Sequence, residues 1–174
     1  SLETRLNGDL FEVVVPPHPA GTNHTIILST ADSSLELTNL CFGDVYLLSG
    51  QSNMELPLSR VLDVSEAEIL SADFPLIRQF RLQPRCVLGR PAEDIPSADW
   101  IPAVWPHALE ISAAGFFFAR SMQAHDNVPI GLVLNAQGGS HIESWMSAEL
   151  LDNFGEDMSI IKPFFENGAL ENFL

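Results

Sequence analysis

Pro129 to Asn135 is a continuous apolar run with no alternation, the pattern of a strand covered on both faces and therefore of a parallel sheet. A second compact apolar strand, Asp44 to Leu48, runs straight into the turn-like Ser49-Gly50-Gln51-Ser52-Asn53. Helical signals lie between and after these strands. Ser65, with Glu68 three residues on, has capping-box spacing and predicts a short helix to about Leu70. Ser112 predicts a cap for a helix whose apolar positions Phe116, Phe117, Ala119 and Met122 carry it to about His125, where Asn127 and Pro129 stop it. Gly138-Gly139 turns the chain into a helix expected from about Ile142 to Leu151. With Pro75 to Leu82 as a further strand, strands and helices alternate, and the predicted fold class is α/β with a parallel sheet.

The first forty residues have a different character. Leu10 to Val15, Thr25 to Leu28 and Leu35 to Leu40, separated by Pro, Gly, Asn and Ser, read as short antiparallel strands. The expected organisation is residues 1–42 as the end of an accessory β module and residues 43–174 as the α/β unit. The proline-rich stretch from Gln83 to Pro106 lacks periodicity and is predicted as a long surface loop, with Trp100 and Trp105 either covering the core or facing a sugar ring. No internal repeat is visible.

Charge excludes several partners. The 23 acidic residues against 8 basic ones give a formal charge of −15, which repels phosphate backbones and anionic lipid headgroups and argues against nucleic acid and membrane partners. Arg78, Arg81, Arg85 and Arg90 stand together against that trend, either pairing with nearby carboxylates or meeting an anionic substrate. Cys41 and Cys86 form neither a disulfide framework nor a metal knuckle. Asn23-His24-Thr25 matches a glycosylation acceptor, a short and common pattern. No apolar run approaches the roughly 18 residues of a membrane span, and no signal-peptide pattern opens the chain, so it reads as soluble with its compartment open. It begins at Ser1 and stops on Phe173-Leu174, which sets the expectation of a piece of something longer.

Active residues in a parallel α/β sheet gather beyond the carboxyl ends of the strands. Two loops qualify here, Ser49 to Met54 and Asn135 to His141. A serine at a tight strand-to-helix turn can present its hydroxyl to an ester while backbone N–H groups receive the oxyanion, and Ser52 is so placed. Ser52-Asn53-Met54-Glu55 is equally a capping box, and spacing alone favours the cap because caps far outnumber nucleophiles. The G-x-S-x-G elbow is absent.

Three blocks carry a resemblance. Gly43-Asp44-Val45-Tyr46-Leu47-Leu48-Ser49-Gly50-Gln51-Ser52-Asn53-Met54-Glu55 resembles the nucleophile block of the sialate O-acetylesterases, within the SGNH hydrolase superfamily. Ser112 to Arg120 resembles that family's helix, and Val128 to Leu132 through Gly138-Gly139-Ser140-His141-Ile142-Glu143-Ser144-Trp145 resembles its G-G-T-x-I-E-x-W segment. The resemblance runs from about Leu35 to Leu151. It implies a three-layer α/β/α sheet, present only in its N-terminal part. Ser52 would be the nucleophile, with its own N–H and that of Gly115 as oxyanion donors and Gly138 and Gly139 as competitors for that role. Gln51, Asn53, His141 and Arg81 would be substrate contacts, and neither metal nor organic cofactor would be needed.

The reaction so implied is hydrolysis of an O-acetyl ester on sialic acid or a related sugar. Acetyl-xylan or another acetylated carbohydrate is the alternative substrate, and a noncatalytic sugar-binding or assembly fragment is the alternative outside enzymes. Two departures stand out: Ser140 replaces the usual threonine, and His141 a frequent proline. The family's base lies in a downstream D-x-x-H or D-x-H segment, preceded by W-Y-Q-G-E, and this sequence holds neither. A serine without its base loses several orders of magnitude in rate, so inactivity of the isolated chain is one expectation. His18, His24, His107 and His125 read as surface or packing residues, leaving His141 as the one candidate stand-in.

Overall fold

The computed structural model describes residues 4–8, 10–83, 95, 98–151 and 153. Strands β1 (Thr4–Asn7) and β2 (Leu10–Val13) pair antiparallel, as do β3 (Gly21–Ser29) and β4 (Ser34–Phe42), each pair forming its own small sheet. Thr30 closes the second hairpin, its N–H donating to the Ser33 carbonyl at 2.8 Å and its hydroxyl accepting from the Ser33 N–H at 3.1 Å. Arg78 fastens this hairpin to the larger unit, donating to the Asn39 carbonyl and to Asn39 Oδ1, both at 2.8 Å.

The larger unit is built on β5 (Asp44–Gly50), β6 (Asp73–Arg81), β7 (Trp100–Val104) and β8 (Ile130–Ala136), in spatial order β5-β8-β6-β7. The pairs β5/β8 and β8/β6 are parallel, as the sequence predicts. Strand β7 falls in the stretch expected to be a loop and pairs antiparallel at the sheet edge. It escapes a sequence reading because its pairing is long-range and Pro102 interrupts it. Pro102 lies opposite Arg78 on an edge strand, where a residue without an N–H is tolerated. Arg85, Arg90 and Cys86 lie outside the described residues. Cys41 is a free thiol.

Helix α1 (Ser52–Glu55) follows β5 directly, and α2 (Leu62–Leu70) precedes β6. Ser65 stands inside α2 at φ −144° and ψ 39°, so two short helical turns meet at a kink there, and the helix expected from Ser65 is the second of them. Helix α3 (Ala113–Asp126) matches its predicted span, with Ser112 capping through a hydrogen bond from the Gly115 N–H. Its buried Ala113, Gly115, Phe116 and Ala119 form one stripe against Leu48, Leu132 and Leu134 of the sheet. The expected single helix from Ile142 to Leu151 is instead a 3-10 turn, Ile142–Trp145, followed by α4 (Ala148–Leu151). Met146 is extended between them at φ −102° and ψ 148°, and Ser147 Oγ accepts the Leu150 N–H at 3.3 Å, restarting the helix as a cap.

Helix α3 covers one face of the sheet. On the other face Val45 and Leu47 remain 64% and 65% exposed, while Trp100 lies across Gly131, whose added Cβ would meet the indole at 3.2 Å. The sheet is therefore the incomplete α/β core expected, with one helical layer among the described residues. No described helix is long and apolar enough to cross a membrane.

A buried polar chain fixes α3 to what precedes it. Gln79, 1% exposed on β6, accepts the Ser112 N–H through Oε1 at 2.9 Å, and Ser112 Oγ donates to the Met54 carbonyl of α1 at 2.7 Å. Ser112→Ala removes a cap and leaves the buried Gly115 N–H and the partly buried Met54 carbonyl without this partner, so it is expected to cost about 2 kcal/mol in denaturant unfolding. A loss within error would show that the cap and this link are dispensable.

Candidate active site

Strands β5 and β8 run in register to their ends, with Ser49 opposite Asn135 and Gly50 opposite Ala136. The two loops singled out in the sequence therefore leave the sheet side by side. The Gln137 N–H donates to the Gly50 carbonyl at 3.0 Å, and the Gln51 side-chain amide donates to the Ser140 carbonyl, joining the loops at both ends. Ser140 is itself braced, its hydroxyl donating to the Gln137 carbonyl at 2.8 Å and accepting from the Trp145 indole at 3.0 Å. Gly139 at φ +77° occupies the left-handed position of the tight turn closed by the Ser140 N–H on the Gln137 carbonyl at 3.3 Å.

Ser52 is exposed at the first position of α1. Among the described residues neither its hydroxyl nor its N–H has a hydrogen-bond partner. The capping-box alternative does not form: the residue at the N-cap is Gln51, which caps with no side-chain bond, and Glu55 turns elsewhere. Glu55 Oε2 accepts the Gly138 N–H at 2.6 Å, and Glu55 Oε1 pairs with Arg81 Nη2 at 2.5 Å. Asn53 is exposed beside Ser52.

The expected oxyanion donors separate. The Gly115 N–H belongs to Ser112 Oγ at 3.1 Å, and a Cβ on Gly115 would come within 2.4 Å of Leu48 Cδ1. That glycine lets α3 approach the sheet and does not offer an amide to an ester. The Gly138 N–H is taken by Glu55, although Gly138 itself sits against the serine, an added Cβ falling 3.4 Å from Ser52 Cβ. The Gly139 N–H has no partner among the described residues.

Two of the predicted substrate contacts are engaged: Gln51 Nε2 by the Ser140 carbonyl and one Arg81 nitrogen by Glu55. His141 is exposed at the start of the Ile142–Trp145 turn, and no hydrogen bond or ring contact joins it to Ser52. His18 stacks on Phe42 and His24 meets that ring edge-on in the small β unit, His107 sits in the 3-10 turn His107–Glu110, and His125 pairs with Asp126. Among the described residues no three His, Cys, Asp or Glu side chains gather as metal ligands.

The comparisons agree with this architecture. The family model described as carbohydrate esterase, sialic acid-specific acetylesterase, matches residues 42–164. The chain is 28% identical over 168 residues to the sialate O-acetylesterase of Rattus norvegicus, covering 87% of this chain and 30% of that protein. It is 29% identical over 156 residues to that of Mus musculus, covering 82% and 28%. The crystal structure of a carbohydrate acetylesterase from Xanthomonas citri superposes with a TM-score of 0.74 at 34% identity, covering 81% of this chain and 32% of that one. The chain thus spans about a third of the length of the proteins it matches. A match over most of its own residues, on the same fold, places this chain in the carbohydrate esterase, sialic acid-specific acetylesterase family.

Proposed function

We propose that this chain supplies the nucleophile of a serine esterase that removes acetyl groups from a sugar, with residues 43–174 as the front part of the catalytic unit and residues 1–42 as the end of an accessory β module. The observation that carries the reading is the Ser52 hydroxyl: exposed beyond a parallel strand, unengaged among the described residues, and flanked by Gly138 of the neighbouring loop. Ser52 Oγ attacks the acetyl carbonyl, and the free N–H groups of Ser52 and Gly139 receive the oxyanion. A histidine held by an aspartate, which the resemblance places in a segment this sequence does not contain, takes the serine proton and passes it to the departing sugar oxygen; water, deprotonated by the same histidine, then cleaves the acetyl-serine, releasing acetate and restoring the Ser52 hydroxyl. Asn53 and His141 stand at the rim as sugar contacts.

The O-acetylated sialic acid named for the relatives is the first substrate reading. A cavity of about 490 Å³, whose lining includes Ser59, Arg81, Ile101, Leu109 and Glu110, shares Arg81 with the Glu55 pair and is offered as room for the sugar. A neutral acetylated sugar is the second reading, favoured by the pairing of Arg81 with Glu55 and by Glu110 in the same cavity.

In a polypeptide that carries the histidine-bearing segment as well, a fluorophosphonate probe is expected to label Ser52 and to leave Ser52→Ala unlabelled. In that polypeptide the same change is expected to lower acetyl release by about 10³-fold or more. A folded chain that binds sugar yet labels equally with and without Ser52 would overturn the esterase reading in favour of a binding fragment. Acetate release from O-acetyl sialic acid against acetylated xylan separates the two substrates.

A further inference from the structure

In a capping box, the carboxylate at the third helical position returns to the N-cap amide of its own helix. Glu55 has that spacing from Ser52 and does something else. Its two oxygens reach two other segments of the sheet, Oε2 to the Gly138 N–H beyond β8 and Oε1 to Arg81 at the end of β6. Both bonds are charge-assisted, and both partners are partly sheltered, the side chains of Glu55 and Arg81 being 23% and 36% exposed. A carboxylate held by donors on both oxygens has little rotational freedom.

Gly138 is the residue of the second loop that packs on Ser52. It is also the residue whose amide Glu55 holds. The separation between Ser52 and the Gly138-Gly139 turn is therefore set by a side chain three positions beyond the serine on the same helix. We propose that Glu55 is a positioning residue for the Ser52 site: anchored by Arg81, its carboxylate holds the Gly138-Gly139 turn against Ser52 and so aims the free Gly139 N–H at the reacting ester. This inference rests on Ser52 being the nucleophile. The other two loop contacts, Gln137 N–H to Gly50 and Gln51 to Ser140, do not involve Glu55 and keep the loop folded without it.

Glu55→Gln conserves size and removes one acceptor. A single carboxamide oxygen can serve Gly138 or Arg81, and the remaining donor then faces an NH₂ group. The test uses the polypeptide that carries the histidine-bearing segment and measures two quantities on it: the rate of fluorophosphonate labelling at Ser52, and the amide shifts of Gly138 and Gly139 by ¹⁵N NMR. The expected result for Glu55→Gln is a labelling rate lower by about 10- to 100-fold, with the Gly138 amide displaced and the amides of Leu132 and Phe116 in place. Arg81→Gln, which releases the carboxylate without touching Gly138, is expected to reproduce a smaller part of the loss. It also serves as the second variant should Glu55→Gln disturb the core amides.

Labelling of Glu55→Gln within twofold of wild type, or a Gly138 amide that does not move, overturns the proposal while leaving the nucleophile intact. A wild-type polypeptide that carries the histidine-bearing segment and still never labels at Ser52 removes the nucleophile reading instead, and with it the role assigned here to Glu55.

Discussion

Phe116→Ala is expected to cost about 3–5 kcal/mol of unfolding free energy, a shift of roughly 10–15 °C in the thermal midpoint. Phe116 is 0% exposed, the largest fully buried side chain of the described residues, and it docks α3 onto the sheet. Its ring makes T-shaped contacts with Phe74 at 5.6 Å and Phe117 at 5.3 Å, while the Arg120 guanidinium lies 5.8 Å from its centroid. Truncation removes the transfer energy of the ring and leaves a cavity that the close-packed sheet below cannot collapse to fill. The expected cost is a large share of the 5–15 kcal/mol that usually holds a domain together.

The consequence reaches the site through Ser112, at the start of the same helix, whose hydroxyl holds the Met54 carbonyl of α1. A loosened α3 therefore loosens the helix that carries Ser52. Phe118→Ala is the control: that ring is 40% exposed and meets Tyr46 edge-on at 4.9 Å, so about 1 kcal/mol is expected. Urea unfolding of both variants checks the pair, and a Phe116→Ala loss as small as that of Phe118→Ala would mean that α3 does not anchor the fold as described.

How much of this was legible in the sequence depends on how local each signal is. Helix α3 was readable in full because its cap, its apolar stripe and its stop at Asn127 all lie within one short segment, and Asn127 does take the left-handed position that ends the helix. The buried parallel strand β8 was readable from composition alone. Strand β7 was not, since its only reason to be extended is its pairing with β6. The break between the Ile142–Trp145 turn and α4 was missed because Ser147 competes as a new cap in the middle of an otherwise helical pattern.

The site divides in the same way. Ser52 was legible as a residue at a strand-to-helix turn, and the resemblance weighed it towards chemistry. Glu55 was legible only as a cap partner, because S-x-x-E is written identically whether the carboxylate bends back or reaches across the sheet. What decides is a pair of partners 26 and 83 residues away, and no local pattern encodes them. Gly115 differs: its amide is engaged by the local Ser112 cap, while the advantage of a small residue there comes from Leu48, on a different element.

Gly43→Ala is the second change expected to act strongly, although Gly43 is exposed and its side chain would be a single methyl. An added Cβ would lie 2.0 Å from the Pro129 carbonyl oxygen and 2.8 Å from its carbon, so the obstacle is backbone and cannot rotate away. The neighbouring Asp44 N–H donates to that same carbonyl at 3.0 Å, at the point where β5 and β8 begin to pair. Overpacking there forces the strands apart and breaks this bond, with an expected total of about 3–4 kcal/mol. The effect should also travel to the far end of the pair, where the same register delivers Gly50 and Ala136 level with each other and so brings Ser52 against Gly138. Gly139→Ala is the contrasting change: nothing lies within 4 Å of its added Cβ, and only the φ of +77° resists, at about 1–2 kcal/mol. Denaturant midpoints for the two variants, with ¹⁵N shifts of Ser52 and Gly138, decide between them. If Gly43→Ala melts with the wild type and leaves both amides unmoved, the start of β5 does not set the register of the site at its end.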